Sequence, residues 1–323
     1  MTLNSYDVQA LQRMKGMVFL LLSFLLVPSL LQAGTEAYPY GNGSTVIGWV
    51  RDHRVRDGES LIELARASGI GYNEIADANP LLDPFVPGTG ALVTVPHSWI
   101  LPDEESYDGI VINLSELRLY YFFRQGASRL VMTFPIGIGS EGNDTPTGEF
   151  RVVEKIVQPA WHVPESIKNE KPWLPAVVPP GPDNPLGSHA LRLSLGTILI
   201  HGTNKPWGVG RRVSHGCIRL YPEDIPKLFQ VAPVGVKVTI VRQPVKVGLR
   251  NHRVYIEVHD DHQGMNYFQE AVRLLIKKGF LGRIDTGRLY LAAEEKRGIP
   301  VDISGESMAP HDGAKDVLSG RRK

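Results

Sequence analysis

The sequence predicts a mainly β protein: a sandwich- or barrel-like domain, preceded by a small strand–helix–helix–strand unit and followed by a small α+β extension. Two observations carry this. Runs rich in β-branched and aromatic residues recur between Gly109 and Val241, each bounded by turn residues. The 323-residue chain also holds 33 glycines and 24 prolines, a turn-rich composition that suits short strands better than a helical bundle.

Composition bounds the function classes. At 42% hydrophobic and 21% charged residues, the chain reads as a soluble globular protein of two or three domains. A formal net charge of +1 gives no global pull toward nucleic acid, and no such partner is expected. At the N-terminus, Arg13 and Lys15 precede an apolar run from Met17 to Leu31, and Gln32-Ala33-Gly34 follows with small residues. That pattern reads as a signal peptide over residues 1–33. The run is shorter than a spanning helix usually needs, and an uncleaved anchor is the alternative.

In the small unit, residues 50–97, Val55 suggests a short strand and Asp57-Gly58 a turn. Ser60 and Glu63 form a capping box for a helix through Ala67, closed by Gly69. A second helical pattern runs from Tyr72 to Ala78 and stops at Asn79-Pro80, because proline disfavours helical geometry in the residue before it. Leu92 to Val95 reads as a strand.

The β domain, residues 108–242, opens with Ile110–Asn113 and Leu117–Phe122 across a polar turn. Leu130–Ile136 and Glu149–Val153 read as further strands around a glycine-rich loop. Pro179–Pro185 is a proline-rich loop, Thr197–Ile200 a buried strand ending at His201, and Val236–Val241 a last strand. One helix begins at Tyr221-Pro222-Glu223-Asp224-Ile225 and reaches about Gln230. In the extension, residues 243–303, Arg253–Val258 reads as a strand and Asn266–Lys278 as an amphipathic helix. Asp285–Ala293 reads as a second helix or an extended segment, and residues 304–323 as a polar, disordered tail.

The chain has one cysteine, in Ser214-His215-Gly216-Cys217-Ile218-Arg219-Leu220, and a second histidine leads Ile200-His201-Gly202-Thr203-Asn204. A thiol nucleophile needs a base, and histidine is the usual one. A histidine within reach is expected to lower the thiol pKa. Gly216 allows a sharp turn beside Cys217, so that successive N–H groups could face an oxyanion. Gly202, Gly208 and Gly210 are expected to make the intervening loop pliable. Two weaker candidates stand apart: His259-Asp260-Asp261-His262, either a metal site or, better, a solvated turn; and Trp161, Trp173 and Trp207, as groove lining or packing.

Residues 55–96 resemble the LysM family, in Val55-x-x-Gly58-Glu59-Ser60-Leu61, Ile75, Asn79-Pro80 and the strand up to Pro96. The resemblance implies binding of the N-acetylglucosamine-containing glycan of cell walls. His201-Gly202-Thr203-Asn204 with Ser214–Leu220 resembles the signature of the L,D-transpeptidase (YkuD-like) catalytic domain. Asn113–Leu119, Thr145-Pro146-Thr147-Gly148-Glu149-Phe150 and Gly187–Leu191 are similar to further pieces of that family in the same order.

This second resemblance implies a periplasmic enzyme with no cofactor and no metal. Cys217 would attack a peptidoglycan stem tetrapeptide, releasing D-alanine and leaving a thioester. A diamino acid of a neighbouring stem would then give a 3→3 cross-link, or a lysine of a wall-anchored lipoprotein would be attached. Hydrolysis at the same site, and a non-catalytic wall-binding protein, are the alternatives. The implied roles are Cys217 as nucleophile, His201 as general base oriented by a carbonyl near Gly202, and Gly216 and Cys217 as oxyanion donors. His215 and Ser214 would support them. Arg219 would bind a substrate carboxylate, or else pair with Glu223 or Asp224. The C-terminal extension resembles that of some Gram-negative members.

Overall fold

A computed structural model describes residues 36–41 and 43–305. The predicted signal peptide and most of the predicted tail lie outside these residues. Among the described residues no helix is long and apolar enough to cross a membrane.

The chain begins with β1 (Ala37–Pro39) and β2 (Val46–Gly48). The small unit follows: β3 (Arg51–Arg54), α1 (Leu61–Ala67), α2 (Tyr72–Ala78) and β4 (Leu92–Val95), with β3 and β4 antiparallel. Both halves of the capping box form at Ser60 and Glu63. The predicted strand at Val55 ends one residue earlier, and Val55 itself packs with Leu61, Ile70, Ile75 and Val93 into a separate small core. β5 (Ser98–Ile100) leaves the unit and pairs with β2.

Next come β6 (Gly109–Asn113), β7 (Arg118–Gln125), β8 (Ser128–Pro135), β9 (Ile138–Gly139) and β10 (Gly148–Val157). An excursion holds β11 (Trp161–His162), α3 (Glu165–Glu170) and β12 (Val177–Val178). The chain returns through β13 (His189–Leu193), β14 (Leu199–His201), β15 (Arg212–Ser214), β16 (Ile218–Arg219), α4 (Ile225–Val231) and β17 (Lys237–Val241). The extension is β18 (Val245–Arg250), β19 (Arg253–Val258), α5 (Tyr267–Lys277), α6 (Thr286–Glu295) and β20 (Val301–Asp302). Asp285 therefore caps a helix, and Ser304, assigned to the tail, instead accepts a hydrogen bond from Val254 N–H at 2.8 Å.

The mainly β expectation holds, as one curled sheet. Nine strands hydrogen-bond in the order β1-β8-β7-β6-β17-β10-β13-β14-β16. The far edge, β16, meets the chain again just past β8, where Gly137 and Arg219 exchange two backbone hydrogen bonds of 2.8 Å. This contact curls the sheet toward a barrel around Ile110, Leu119, Phe134, Leu191, Ile200, Ile218 and Ile240, all fully or almost fully buried. Each such side chain contributes about 1.5–3 kcal/mol by leaving water. The curl also brings the β9 loop beside the ends of β14 and β16, which hold His201 and Cys217.

The described residues form one compact unit, and buried charge joins its parts. Glu74 on α2 forms a bidentate pair with Arg118 on β7, at 2.8 and 2.7 Å. Lys246 on β18 lies 2.6 Å from Glu116 and 2.9 Å from Glu257, and donates to the Ile100 carbonyl at 2.7 Å.

Candidate active site

β14 and β16 run parallel, with Ile200 opposite Ile218 and His201 opposite Arg219. Side chains alternate along a strand. The isoleucines therefore enter the core, while His201 and Arg219 share the other face. Cys217 immediately precedes β16, against Thr197 and Leu199 at the start of β14, and the Arg219 charge acts on both it and His201. The spacing of the two motifs thus becomes one cluster of thiol, imidazole and guanidinium.

His201 is buried, and its Nδ1 lies 2.6 Å from the Gly202 carbonyl, the orienting group expected there. A carbonyl only accepts, so Nδ1 carries the proton and Nε2 of the neutral ring is left as the acceptor. Burial and the nearby Arg219 charge push the His201 pKa down to about 4, against the carbonyls of Gly202 and Leu186. The ring is therefore neutral at physiological pH. Asn184, fully buried, holds the loop behind it: its amide donates to the carbonyls of Pro159, Val178 and Pro179, and its Oδ1 accepts from Leu186 N–H at 2.9 Å.

Cys217 is free and partly buried, and its Sγ–H points at the Thr197 carbonyl, 3.7 Å away. Its pKa is raised, not lowered as expected from a neighbouring histidine: burial outweighs the Leu199 N–H and the Arg219 charge. The resting pair is thus a neutral thiol and a neutral imidazole.

The turn holding Cys217 is pinned by two hydroxyls. Ser214 Oγ donates to the Cys217 carbonyl at 2.5 Å, and Thr145 Oγ1 donates to the Gly216 carbonyl at 2.9 Å. Thr145 in turn accepts from Gly139 N–H at 3.0 Å. Because the peptide is trans and planar, fixing the Gly216 carbonyl on Thr145 turns the Cys217 N–H the opposite way. Gly216 has φ +98°, a conformation side chains rarely adopt, which accounts for glycine there. Sequence reasoning found Ser214 but gave Thr145 no role; its hydroxyl beside Pro146 was the only local signal.

Other expectations change. Arg219 pairs with neither Glu223, which takes Arg66 at 2.9 Å, nor Asp224, which takes Lys227 at 3.1 Å. Its Nε is buried and has no hydrogen-bond partner among the described residues. His215 is exposed and faces Glu170 on α3 at 3.3 Å, away from the buried imidazole. The loop glycines serve close packing instead of pliability: a Cβ on Gly210 would lie 2.1 Å from Tyr72 N, and one on Gly202 2.9 Å from Ile225.

His259-Asp260-Asp261-His262 is not a wholly solvated turn, since His259 and Asp261 are buried. His259 Nε2 lies 2.7 Å from Glu257, and His259, Glu116 and Glu257 have the spacing of a ligand set. The Lys246 ammonium already sits between the two carboxylates and supplies the cation's charge. Trp161 lies in β11, Trp173 is exposed near α3, and half-exposed Trp207 faces Arg66 of the small unit.

A curled sheet that presents a lone thiol, a carbonyl-held imidazole and an arginine with no side-chain partner among the described residues has the groups that an acyl-transfer site uses. Comparison with known proteins gives the family. The L,D-transpeptidase catalytic domain (YkuD) matches residues 107–240. The Escherichia coli (strain K12) protein named Probable L,D-transpeptidase YcfS is 38% identical over 83% of this chain and 88% of its own. Probable L,D-transpeptidase YbiS of the same strain is 36% identical over 87% and 96%, and ErfK/SrfK is 36% identical over 90% and 98%. The chain belongs to the L,D-transpeptidase family of transferases.

Proposed function

We propose that this protein is a cysteine L,D-transpeptidase acting on peptidoglycan stem tetrapeptides in the periplasm. The observation that carries the reading is the strand register that sets His201 opposite Arg219, whose charge also acts on Cys217, with His201 a neutral acceptor.

In this reading the thiol swings from the Thr197 carbonyl toward the imidazole when substrate displaces it. Its proton passes to His201 Nε2 as sulfur attacks the carbonyl carbon between the third and fourth stem residues. The Cys217 N–H, aimed by Thr145, meets the developing oxyanion. The oxyanion collapses, the C–N bond breaks, and the leaving D-alanine amine takes the proton from the imidazolium. Arg219 stabilises a thiolate; by destabilising the imidazolium it makes uptake of the thiol proton by His201 harder and its release to the leaving amine easier. An acceptor amine then attacks the thioester, loses its proton to His201, and expels the Cys217 thiolate, which is reprotonated. The acceptor is the diamino acid of a neighbouring stem, giving a 3→3 link, or a lysine of a wall-anchored lipoprotein. The small unit, with its LysM resemblance, holds the glycan, and residues 1–33 direct export.

The test is mass spectrometry of the enzyme incubated with disaccharide-tetrapeptide. The expected product is a dimer joined through two diamino acids, absent with Cys217→Ala. Tripeptide without dimer, even after a lysine-terminated lipoprotein is added, would mean that water resolves the thioester and the enzyme is a carboxypeptidase.

A further inference from the structure

The loop between His201 and Cys217 does more than connect them. Its middle, Pro206 to Arg211, packs against the small unit. Tyr72 and Asn73 N–H donate to the carbonyls of Val209 and Gly210 at 3.4 and 3.2 Å. The Arg211 guanidinium stacks on Tyr72 at 3.6 Å, and Arg66 of α1 lies 5.9 Å from the Trp207 ring centre. The Arg66–Glu223 pair, doubly bonded at 2.9 Å, bridges the same two regions. Backbone touches backbone at Gly71 and Gly210, where neither residue has room for a Cβ. The junction is therefore preformed.

A groove of about 410 Å³ opens along this junction, within the ~300–1,000 Å³ range of small-molecule sites. Ser60, Ile62, Glu63 and Phe85 line it from the small unit, and Trp207 and Arg211 from the catalytic loop. Trp207 is 51% and Phe85 61% exposed, so both rings have accessible surface. Glu63 supplies an acceptor, and Arg211 carries a buried Nε–H with no partner among the described residues. Apolar rings with a few polar groups beside them suit a pyranose, which has an apolar C–H face and a polar rim of hydroxyls and amides. Immediately after Trp207, Gly208 backs onto the catalytic cluster: a Cβ there would lie 3.9 Å from Arg219 Nη1.

We propose that this groove is a composite site for a β-linked chain of N-acetylated hexosamines, with Trp207 and Arg211 of the catalytic loop completing a surface begun by the small unit. The inference rests on peptidoglycan being the substrate, and it assigns the glycan, not the peptide, to these residues. The glycan is held on the loop that backs Arg219, so its stem peptide is presented on the catalytic side.

The test is calorimetric titration of tetra-N-acetylchitotetraose into the protein carrying Cys217→Ala. Trp207→Ala is expected to weaken binding about fivefold or more, with Trp207→Phe restoring most of it and the melting temperature unchanged. Arg211→Ala is expected to weaken binding as well. A loss in Trp207→Ala of less than about fivefold overturns the proposal, because the small unit would then bind alone. A parent protein that binds no tetrasaccharide also overturns it. Since this protein transfers no acyl group, the titration is read apart from the chemistry at Cys217, and either can fail without the other.

Discussion

At the scale of single residues, the proposed site keeps its groups neutral: burial raises the Cys217 pKa and lowers that of His201. His201, held down to about 4, accepts a proton throughout the neutral and mildly acidic range. Below that value it is charged and cannot act as a base. The acylation rate is therefore expected to stay level from about pH 5 to neutrality and to fall as pH drops through about 4, with no break at the ordinary value of 6.5. A pH–rate profile of Cys217 acylation checks this; a break near 6.5 would mean that burial and Arg219 do not hold the base down. Thr145 is a positioning residue in the same scheme. Thr145→Val is expected to slow acylation roughly tenfold or more while melting changes by only a few degrees. Stopped-flow acylation alongside thermal unfolding separates the two, and a full-rate Thr145→Val would mean that the Gly216 carbonyl needs no anchor. Cys217, His201 and Gly216 were legible in the sequence because each sits in a short local motif. Thr145 was not, because its partner Gly216 is 71 residues away and only the curl of the sheet joins them.

At the scale of elements, local signals read well and polar ones misled. The capping box marked the start of α1, and the apolar run Thr197–Ile200 marked β14, which begins two residues later, at Leu199. α3 was missed because Glu165–Glu170 is short and mostly polar, with only Ile167 buried. α2 shows what local reading leaves out. Its Glu74 sits at a polar position of an ordinary helix, yet it is 4% exposed. It accepts from Gly71 N–H at 2.7 Å and Trp99 Nε1 at 3.0 Å as well as from Arg118. Arg118 is buried too; burial works against its charge, but Glu74 holds its pKa up. Removing one partner of such a pair leaves the other charge stranded. Glu74→Ala is expected to cost about 3–5 kcal/mol, measured by urea unfolding. A change under about 1 kcal/mol would mean that water reaches Arg118.

At the scale of the whole molecule, the Lys246 cluster joins the extension to the catalytic sheet. Burial, and Glu257 alongside, raise the Glu116 pKa despite Lys246. A lysine in a strand gives no sequence sign that it will be 1% exposed and surrounded by three distant segments. The His259 turn was misread for the same reason. Calorimetry is expected to show one cooperative unfolding transition for the native protein, and Lys246→Met an earlier, separate transition of the extension. Two transitions in the native protein would mean that the extension folds independently.

The contact of Gly71 with Gly210 has a further consequence. With no side chain between them and ion pairs on either side, the small unit cannot swing as a tether. If the junction binds a ligand as proposed, the unit would act as a caliper, keeping that ligand at a constant distance from the thiol. On a long polymer, such a tool would cut and join in step with the polymer's own repeat, and the spacing of its products would record the dimensions of the enzyme.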